Sequence, residues 1–292
     1  MMDINRMVNI AVIDDGVNEY LLGESVVQQL IFNEDLTIDT YTIDSPERIT
    51  HGTLCAGIIK LYYPDIHIYS LKILSDTLSG NIQKLYSALN WCVQNHIQVA
   101  NVSLGSHCST DLSETQKVIN QVAGQGLVII CAASNHRHIT YPASFSNVIG
   151  VKREESNMLH EGEFYINDNI VDGIEFTAFA KHKLDGKECS NSNSFAAPMI
   201  TAKVCELIWE YPLIHLQQIK LMLLKKANNY MDDKHWGYCY ADPDWMSDIL
   251  VCHVNERYKM DYRYLNLHIH GEIVVPVESA LEAVNIALAA YD

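Results

Sequence analysis

The chain has 292 residues, of which 48% are hydrophobic, and its 36 acidic and 20 basic side chains give a formal net charge of −16. This length and hydrophobicity are sufficient for a large buried core in one or two domains. The negative charge argues against nucleic acid and anionic membranes as partners and is compatible with a basic peptide substrate.

The N-terminal sequence and the distribution of cysteines indicate the compartment in which the protein is expected. The N-terminal residues form no apolar signal core, and no stretch approaches the roughly 18 uncharged apolar residues of a membrane span. The eight cysteines are scattered and lie mostly in apolar segments, which is typical of reduced core thiols. We therefore expect a soluble, cytoplasmic protein with no membrane insertion. The sequence leaves its oligomeric state open.

Short apolar segments alternate with segments of helical periodicity along the chain. Strands are predicted at residues 8–13, 36–43, 66–74, 97–104, 127–133 and 148–151. Helices are predicted at residues 21–32, 50–59, 82–95, 113–123, 195–209, 215–227 and 277–290, and loops at 152–173. The intervals fit βαβ crossovers, so we predict an α/β fold with a mostly parallel central sheet and helices on both faces. We interpret residues 1–292 as a single domain.

The first predicted strand ends abruptly at Asp14-Asp15-Gly16. Ligands and catalytic groups of α/β sheets collect at the carboxyl ends of parallel strands. A dinucleotide site is disfavoured, because this turn has one glycine where a phosphate-binding fingerprint needs three. Taken alone, Asp14 is better explained as a capping or turn aspartate.

His51 and Ser194 both fall near the start of a predicted helix. Helix N-terminal amides are unpaired and the helix dipole is positive there, so negative charge developing beside Ser194 would be stabilised. Cys55 follows His51 by four residues and should lie on the same helical face. In isolation, such a serine is usually a helix cap and such a histidine a surface residue, so only their partners decide their role.

Five segments, read together, resemble the subtilisin family of serine proteases. They occur in the family's order and at plausible separations, and the resemblance covers residues 8–227 and 271–290. The segments are Val12-Ile13-Asp14-Asp15-Gly16, His51-Gly52-Thr53-Leu54-Cys55-Ala56-Gly57, Asn101-Val102-Ser103-Leu104-Gly105, Ala132-Ala133-Ser134-Asn135 and Asn193-Ser194-Phe195-Ala196-Ala197-Pro198.

The resemblance implies a subtilisin-like fold and a serine endopeptidase with an Asp14, His51 and Ser194 triad. His51 would take the proton of Ser194, and Asp14 would fix the imidazole tautomer. Asn135 corresponds to the family's oxyanion-hole amide. Relative to the family core, residues 228–268 look like an insertion.

Substrate-binding residues also follow from the resemblance. Ser103-Leu104-Gly105 corresponds to the segment that pairs with the non-primed side of the peptide, and Leu78-Ser79-Gly80 to the strand on its other side. His136 is placed to line the first specificity pocket, or is simply an exposed loop histidine.

The sequence also departs from the family's pattern. Ser192-Asn193 stands where the family usually has Gly-Thr, Ser134 replaces a glycine, and Ala180-Lys181-His182 stands where Ala-Pro-Gly is frequent. The altered nucleophile loop leaves an alternative open: a catalytically silent subtilisin-fold protein that binds peptides or partners.

Only seven residues precede the strand at Val8, which resembles cytoplasmic family members without a pro-segment. Some of these trim leader peptides from ribosomally made precursors, and we hypothesise this role here. No cofactor is expected to be required. Structural calcium is known in many relatives, yet no loop of this sequence contains a calcium motif, and the His-X-His pairs at 136–138 and 268–270 lack a recognised metal-ligand set.

Overall fold

The computed structural model describes residues 7–75, 79–136, 139–167, 172–184 and 187–229, together with strands at 250–254 and 273–277. Nine strands form the main sheet: β1 (Val8–Asp14), β2 (Val26–Phe32), β3 (Ile38–Thr40), β4 (Ile66–Lys72), β5 (Val99–Val102), β6 (Val128–Ala132), β7 (Ile149–Arg153), β8 (Phe164–Ile166) and β9 (Phe176–Ala178). Their order is β3-β2-β4-β1-β5-β6-β7-β9-β8. The strands from β2 to β9 in this order pair in parallel, whereas β3 and β8 pair antiparallel at the edges.

Six α-helices accompany these strands in the described part of the chain: α1 (Glu19–Leu22), α2 (His51–Tyr62), α3 (Ile82–Gln94), α4 (Leu112–Gly124), α5 (Asn193–Glu210) and α6 (Leu216–Lys226). Helices α2, α5 and α6 pack on one face of the sheet, and α3 and α4 pack on the other. Successive strand residues point to opposite faces, so Val12 joins the first core and Ile13 the second. The predicted α/β class, with a mostly parallel sheet and helices on both faces, is confirmed. None of these helices is long and apolar enough to cross a bilayer.

In the described part of the chain, two further strand pairs form separate two-stranded sheets. β10 (Lys183–Leu184) pairs antiparallel with β11 (Lys187–Glu188), and β12 (Leu250–Val254) pairs parallel with β13 (Ile273–Val277). Most of the proposed insertion at 228–268 and of the predicted helix at 277–290 lies outside the described residues. The insertion and the single-domain interpretation therefore stay predictions.

The helix predicted at residues 21–32 is wrong. Only the short α1 and a turn of 3₁₀ helix at Gly23–Ser25 precede β2, which occupies Val26–Phe32. A register shift between Val26 and Gln28 interrupts the regular pairing of β2 with β4. Because such an irregularity breaks the two-residue alternation of a strand, the apolar side chains of β2 acquire a spacing that imitates a helix.

The loop predicted at residues 152–173 is also wrong in part, because it contains β8. This strand has three residues and pairs antiparallel with β9 at the sheet edge. Three residues are too few to produce a periodic signal, and the strand exists because Phe164 and Ile166 are buried in the first core.

A buried ion pair connects α6 to the edge of the sheet. Lys220 Nζ lies 2.7 Å from Glu175 Oε1, and both side chains are almost inaccessible. The ammonium group also donates to Ser146 O at 2.5 Å. Burial lowers the pKa of Lys220, and Glu175 opposes this shift by favouring the charged form. The pair therefore depends on both partners being present.

We expect Lys220→Ala to lower the free energy of unfolding by about 3–5 kcal/mol, because it leaves the Glu175 carboxylate buried without its cation. The double variant Lys220→Met/Glu175→Gln should recover much of this loss. Lys226→Ala is the control, since Lys226 forms an exposed pair with Glu206 at 3.6 Å that should contribute less than about 1 kcal/mol. Urea unfolding measures all three; equal losses for Lys220→Ala and Lys226→Ala would contradict the prediction.

Candidate active site

The buried carboxylate of Asp14 is at the carboxyl end of β1. The residue is 1% exposed. Its Oδ1 accepts the Asp15 N–H at 2.9 Å, and its Oδ2 lies 2.8 Å from His51 Nδ1. A buried carboxylate needs such partners to offset its desolvation. At the carboxyl end of β1, where catalytic groups were expected, both oxygens of the Asp14 carboxylate therefore have polar partners.

His51 is the first residue of α2, and the start of this helix is fixed against the end of β1. The Asp15 carboxylate accepts the N–H of His51 at 3.1 Å and that of Gly52 at 2.8 Å. A Cβ at Gly52 would lie 2.5 Å from Gly16 O, so only glycine permits this approach. This close approach of α2 to the turn after β1 brings the His51 ring to Asp14.

Ser194 is the second residue of α5 and is half-buried. Pro198 has no N–H, so the Ser194 carbonyl lacks the partner that the fourth following residue usually supplies in a helix. The Cys55 thiol reaches this carbonyl instead, at 3.5 Å. The ring of Phe195, next in the chain, is centred 5.1 Å from that of His51. The structure thus brings the start of α5 against the His51 end of α2.

Cys55 contacts several of these groups. Its Sγ is 3.8 Å from His51 Nδ1, 4.0 Å from Asp14 Oδ2 and 3.5 Å from Ser103 Oγ. The prediction that Cys55 shares a helical face with His51 is confirmed. Burial raises the pKa of the Cys55 thiol, so it is protonated at neutral pH.

The protonation of His51 depends on the same neighbours. Burial of the ring lowers the pKa of His51, whereas the polar contacts of Nδ1 with Cys55 and with the Asp14 carboxylate raise it. The net direction of the His51 pKa is upward, because the interactions with Cys55 and with the Asp14 carboxylate together outweigh the effect of burial. The site is therefore arranged to accept a proton at His51.

The same side chains include potential metal ligands. Among the described residues, one group of at least three potential metal ligands occurs, and it consists of Asp14, His51 and Cys55, whose ligand atoms lie within 4.8 Å of one another. Two of these atoms already form the hydrogen bond between Asp14 and His51. The geometry therefore matches proton transfer at His51.

Asn135 follows β6 at the same sheet edge and is exposed. Its Oδ1 accepts the backbone N–H of Asn193 at 2.9 Å. Since the carbonyl oxygen of the amide is used in this way, Nδ2 is the group that can donate to a ligand. Helix α5 begins beside it, and the first amides of a helix lack intrahelical partners. Donors from two elements thus converge beside Ser194.

The residues expected to bind the peptide lie in different surroundings. Ser103 and Leu104 are half-buried and Gly105 is exposed; all three follow β5. Ser103 contacts Cys55 and is thus brought to the site. Ser79 and Gly80 are exposed outside any strand, and Leu78 lies outside the described residues. His136 is exposed next to Asn135, and its N–H donates to Ser134 Oγ at 3.1 Å.

A cavity of about 460 Å³ opens beside Asn135 and Asn193. Its wall carries charged side chains of both signs together with Ala133, Tyr165 and Ile174, so it can contact both polar and apolar groups of a ligand. The charged residues are Lys152, Arg153, Glu154, Glu155 and Asp172.

Sequence reasoning missed two residues that organise the site. Asp15 holds the start of α2, and its signal was the acidic pair after a strand, which we interpreted through Asp14 alone. Asn193 was seen only as a departure from the family's pattern. Its side chain forms three hydrogen bonds to segments far away in the sequence, which no local pattern reveals.

The unusual His182 is also explained by the structure. It is fully buried, and its Nε2 donates to Phe195 O at 2.8 Å while its Nδ1 lies 3.0 Å from Tyr62 OH. Burial lowers the pKa of His182 to about 4, which keeps the ring neutral. A neutral imidazole therefore connects α2 to the first turn of α5 behind Ser194.

Comparison with known proteins gives one matching family model, described as the Subtilase family, over residues 5–239. Subtilisin DY of Bacillus licheniformis is 23% identical over 244 residues, which are 79% of this chain and 87% of that protein. The minor extracellular protease Epr of Bacillus subtilis (strain 168) is 28% identical over 167 residues, which are 53% of this chain but 24% of that protein.

Solved structures show the same fold. A cold-adapted subtilisin-like serine proteinase superposes with a TM-score of 0.61 at 23% identity, over 78% of this chain and 85% of that one. A lanthipeptide protease superposes with a TM-score of 0.61 at 21% identity, over 80% of this chain and 84% of that one. At such identities the likeness establishes the fold.

The buried His182 predicts a pH-dependent stability. Its pKa is depressed in the folded state, so the unfolded state binds the extra proton as the pH falls through about 6.5. The stabilisation present above that pH should decline by about 3 kcal/mol by pH 4. His182→Gln should reduce this dependence of the free energy of unfolding on pH. His160→Gln, at an exposed site, should leave it unchanged. Identical slopes for wild type and His182→Gln in urea unfolding between pH 7 and pH 4.5 would count against it.

Proposed function

Because the chain belongs to the subtilase family and is a subtilisin-like serine endopeptidase, we propose that Asp14, His51 and Ser194 form its catalytic triad. The observation that carries the proposal is the 2.8 Å contact between His51 Nδ1 and the buried Asp14 carboxylate. This contact fixes the tautomer in which Nδ1 bears the proton and Nε2 can act as a base.

In this mechanism, Ser194 Oγ attacks the scissile carbonyl carbon while its proton passes to His51 Nε2. The carbonyl π electrons move to the oxygen, and a tetrahedral oxyanion forms. His51 then donates the proton to the leaving amine as the C–N bond breaks, and water hydrolyses the acyl-enzyme by the same steps. A base must be neutral to accept a proton, so the raised pKa of His51 favours turnover towards alkaline pH.

We assign stabilisation of the oxyanion to Asn135 Nδ2 and the N–H of Ser194. The orientation of the Asn135 amide supports this, because its oxygen is already bonded to Asn193. Removing such a side-chain donor costs about 10² to 10³ in turnover, a figure that comes from subtilisin itself.

For the substrate, we propose a precursor peptide from which a leader segment is removed. The structural likeness to a lanthipeptide protease supports this class of substrate. The net charge of −16 is compatible with a basic peptide, and the mixed polar cavity beside Asn135 would accept polar side chains. Ser103 and its neighbours after β5 would hold the peptide through main-chain hydrogen bonds.

We further propose that this reaction takes place in the cytoplasm and needs no cofactor. The six cysteines in the described part of the chain are all free, and five of them are buried. A reducing compartment preserves such thiols.

Activity-based labelling tests the triad. We expect a fluorophosphonate to label the wild type covalently, Ser194→Ala to show no labelling, and His51→Ala to react more than about 10³-fold more slowly, since the serine then lacks its base. Ser192→Ala is the matched control, because Ser192 precedes the helix without a side-chain capping bond and should not affect the rate. Folded wild type that is not labelled would contradict the proposed mechanism.

Peptide mapping tests the substrate class. Wild type and Ser194→Ala would be incubated with a diverse peptide library, with casein and with leader-bearing precursor peptides, and the products identified by mass spectrometry. We expect few Ser194-dependent cuts in the library and a single cut in a precursor, at the end of its leader. Broad digestion of casein, with precursors left intact, would refute the leader-removing role. It would leave the assignment as a serine protease unchanged.

A further inference from the structure

We propose that Asn193 is a positioning residue that holds the oxyanion donor Asn135 in its working orientation. This inference rests on the proposed function of Asn135. It goes beyond that function because it assigns a role to the side chain that replaces the threonine expected before the nucleophile.

Asn193 connects three separate segments. Its Nδ2 donates to Ala133 O at 3.0 Å and to Ser134 O at 2.9 Å, and its Oδ1 accepts the Arg153 N–H at 2.9 Å. Its own N–H donates to Asn135 Oδ1 at 2.9 Å. The residue is 6% exposed. A single buried side chain therefore fastens the start of α5 to the ends of β6 and β7.

These bonds determine what Asn135 can do. The two carbonyls that Asn193 holds belong to the residues immediately before Asn135, so they fix the backbone from which this side chain projects. The bond to Asn135 Oδ1 then fixes which end of the amide faces away from α5. Asn135 itself is exposed, so these hydrogen bonds restrain a side chain that is not buried. Stabilisation of an oxyanion depends on donors oriented in advance, and here Asn193 supplies that orientation.

The three side-chain hydrogen bonds of Asn193 require a carboxamide. Both protons of Nδ2 are used on carbonyl oxygens, and Oδ1 is used as an acceptor. An aspartate would keep the acceptor but place a carboxylate oxygen against two carbonyl oxygens. A threonine hydroxyl has one proton to donate and could hold one of the two carbonyls at most.

The experiment measures inactivation by a fluorophosphonate at several concentrations in wild type, Asn193→Asp, Asn193→Thr, Asn135→Ala and the double variant Asn193→Asp/Asn135→Ala. The maximal rate reports the chemical step, and the half-saturating concentration reports binding. Ser192→Ala is the neighbouring control. Circular dichroism and thermal unfolding show whether each variant is folded. If Asn193→Asp does not fold, Asn193→Thr, which is the smaller change, tests the inference in its place.

We expect Asn193→Asp to lower the maximal rate by about 10²-fold with an unchanged half-saturating concentration, close to the effect of Asn135→Ala. Asn193→Thr should give a smaller loss in the same parameter. In the Asn135→Ala background, the Asn193 substitution should have little further effect, because the donor it positions is gone.

Three results would overturn the inference: an unchanged maximal rate in folded Asn193 variants, a loss confined to the half-saturating concentration, or losses that multiply in the double variant. If the wild type is not labelled at all, the proposed function fails, and crystal structures of wild type and Asn193→Asp decide the inference separately. A displaced or disordered Asn135 side chain would support it, and an unmoved one would refute it.

Discussion

The contact between the buried Asp14 carboxylate and His51 Nδ1 is the interaction on which the rest of the site depends. A carboxylate at the end of a central strand is buried at a high cost unless both oxygens are engaged, and here a backbone amide and an imidazole engage them. The imidazole reaches this position only because Gly52 lets α2 approach the turn after β1. Burial of the Asp14 charge thus depends on the turn after β1, on the position of α2 and on the presence of glycine at residue 52.

A second constraint acts on the start of α5, because a helix terminus leaves backbone groups without hydrogen-bond partners. Pro198 removes a further helical donor, and Cys55 and His182 supply hydrogen bonds to the carbonyls of Ser194 and Phe195. Two buried side chains thereby hold the first turn of α5, in which Ser194 lies. The start of α5 is thereby held against the His51 end of α2, although its sequence departs from the family's pattern.

The pattern of correct and wrong predictions follows from the range over which each physical signal acts. Buried parallel strands are continuous apolar runs, so the central strands and the acidic pair at the end of β1 were readable from local sequence. Strand β2 was not, because its pairing irregularity disguises the alternation, and β8 was too short to show any. The substrate-binding roles of Leu78, Ser79 and Gly80 stay predictions.

The fold class, the family resemblance and the candidate groups Asp14, His51, Ser194 and Asn135 could be predicted from the sequence, because strand endings, helix starts and short motifs are visible in local stretches of the chain. The tertiary structure alone decided how those groups are oriented. Hydrogen bonds of Asn193, and those of Asp15 to the start of α2, join residues that are 36 to 60 positions apart in the chain, and their geometry exists only once the sheet has brought those segments to one edge. Spacing along a chain carries no information on such bonds, since they depend on packing in three dimensions.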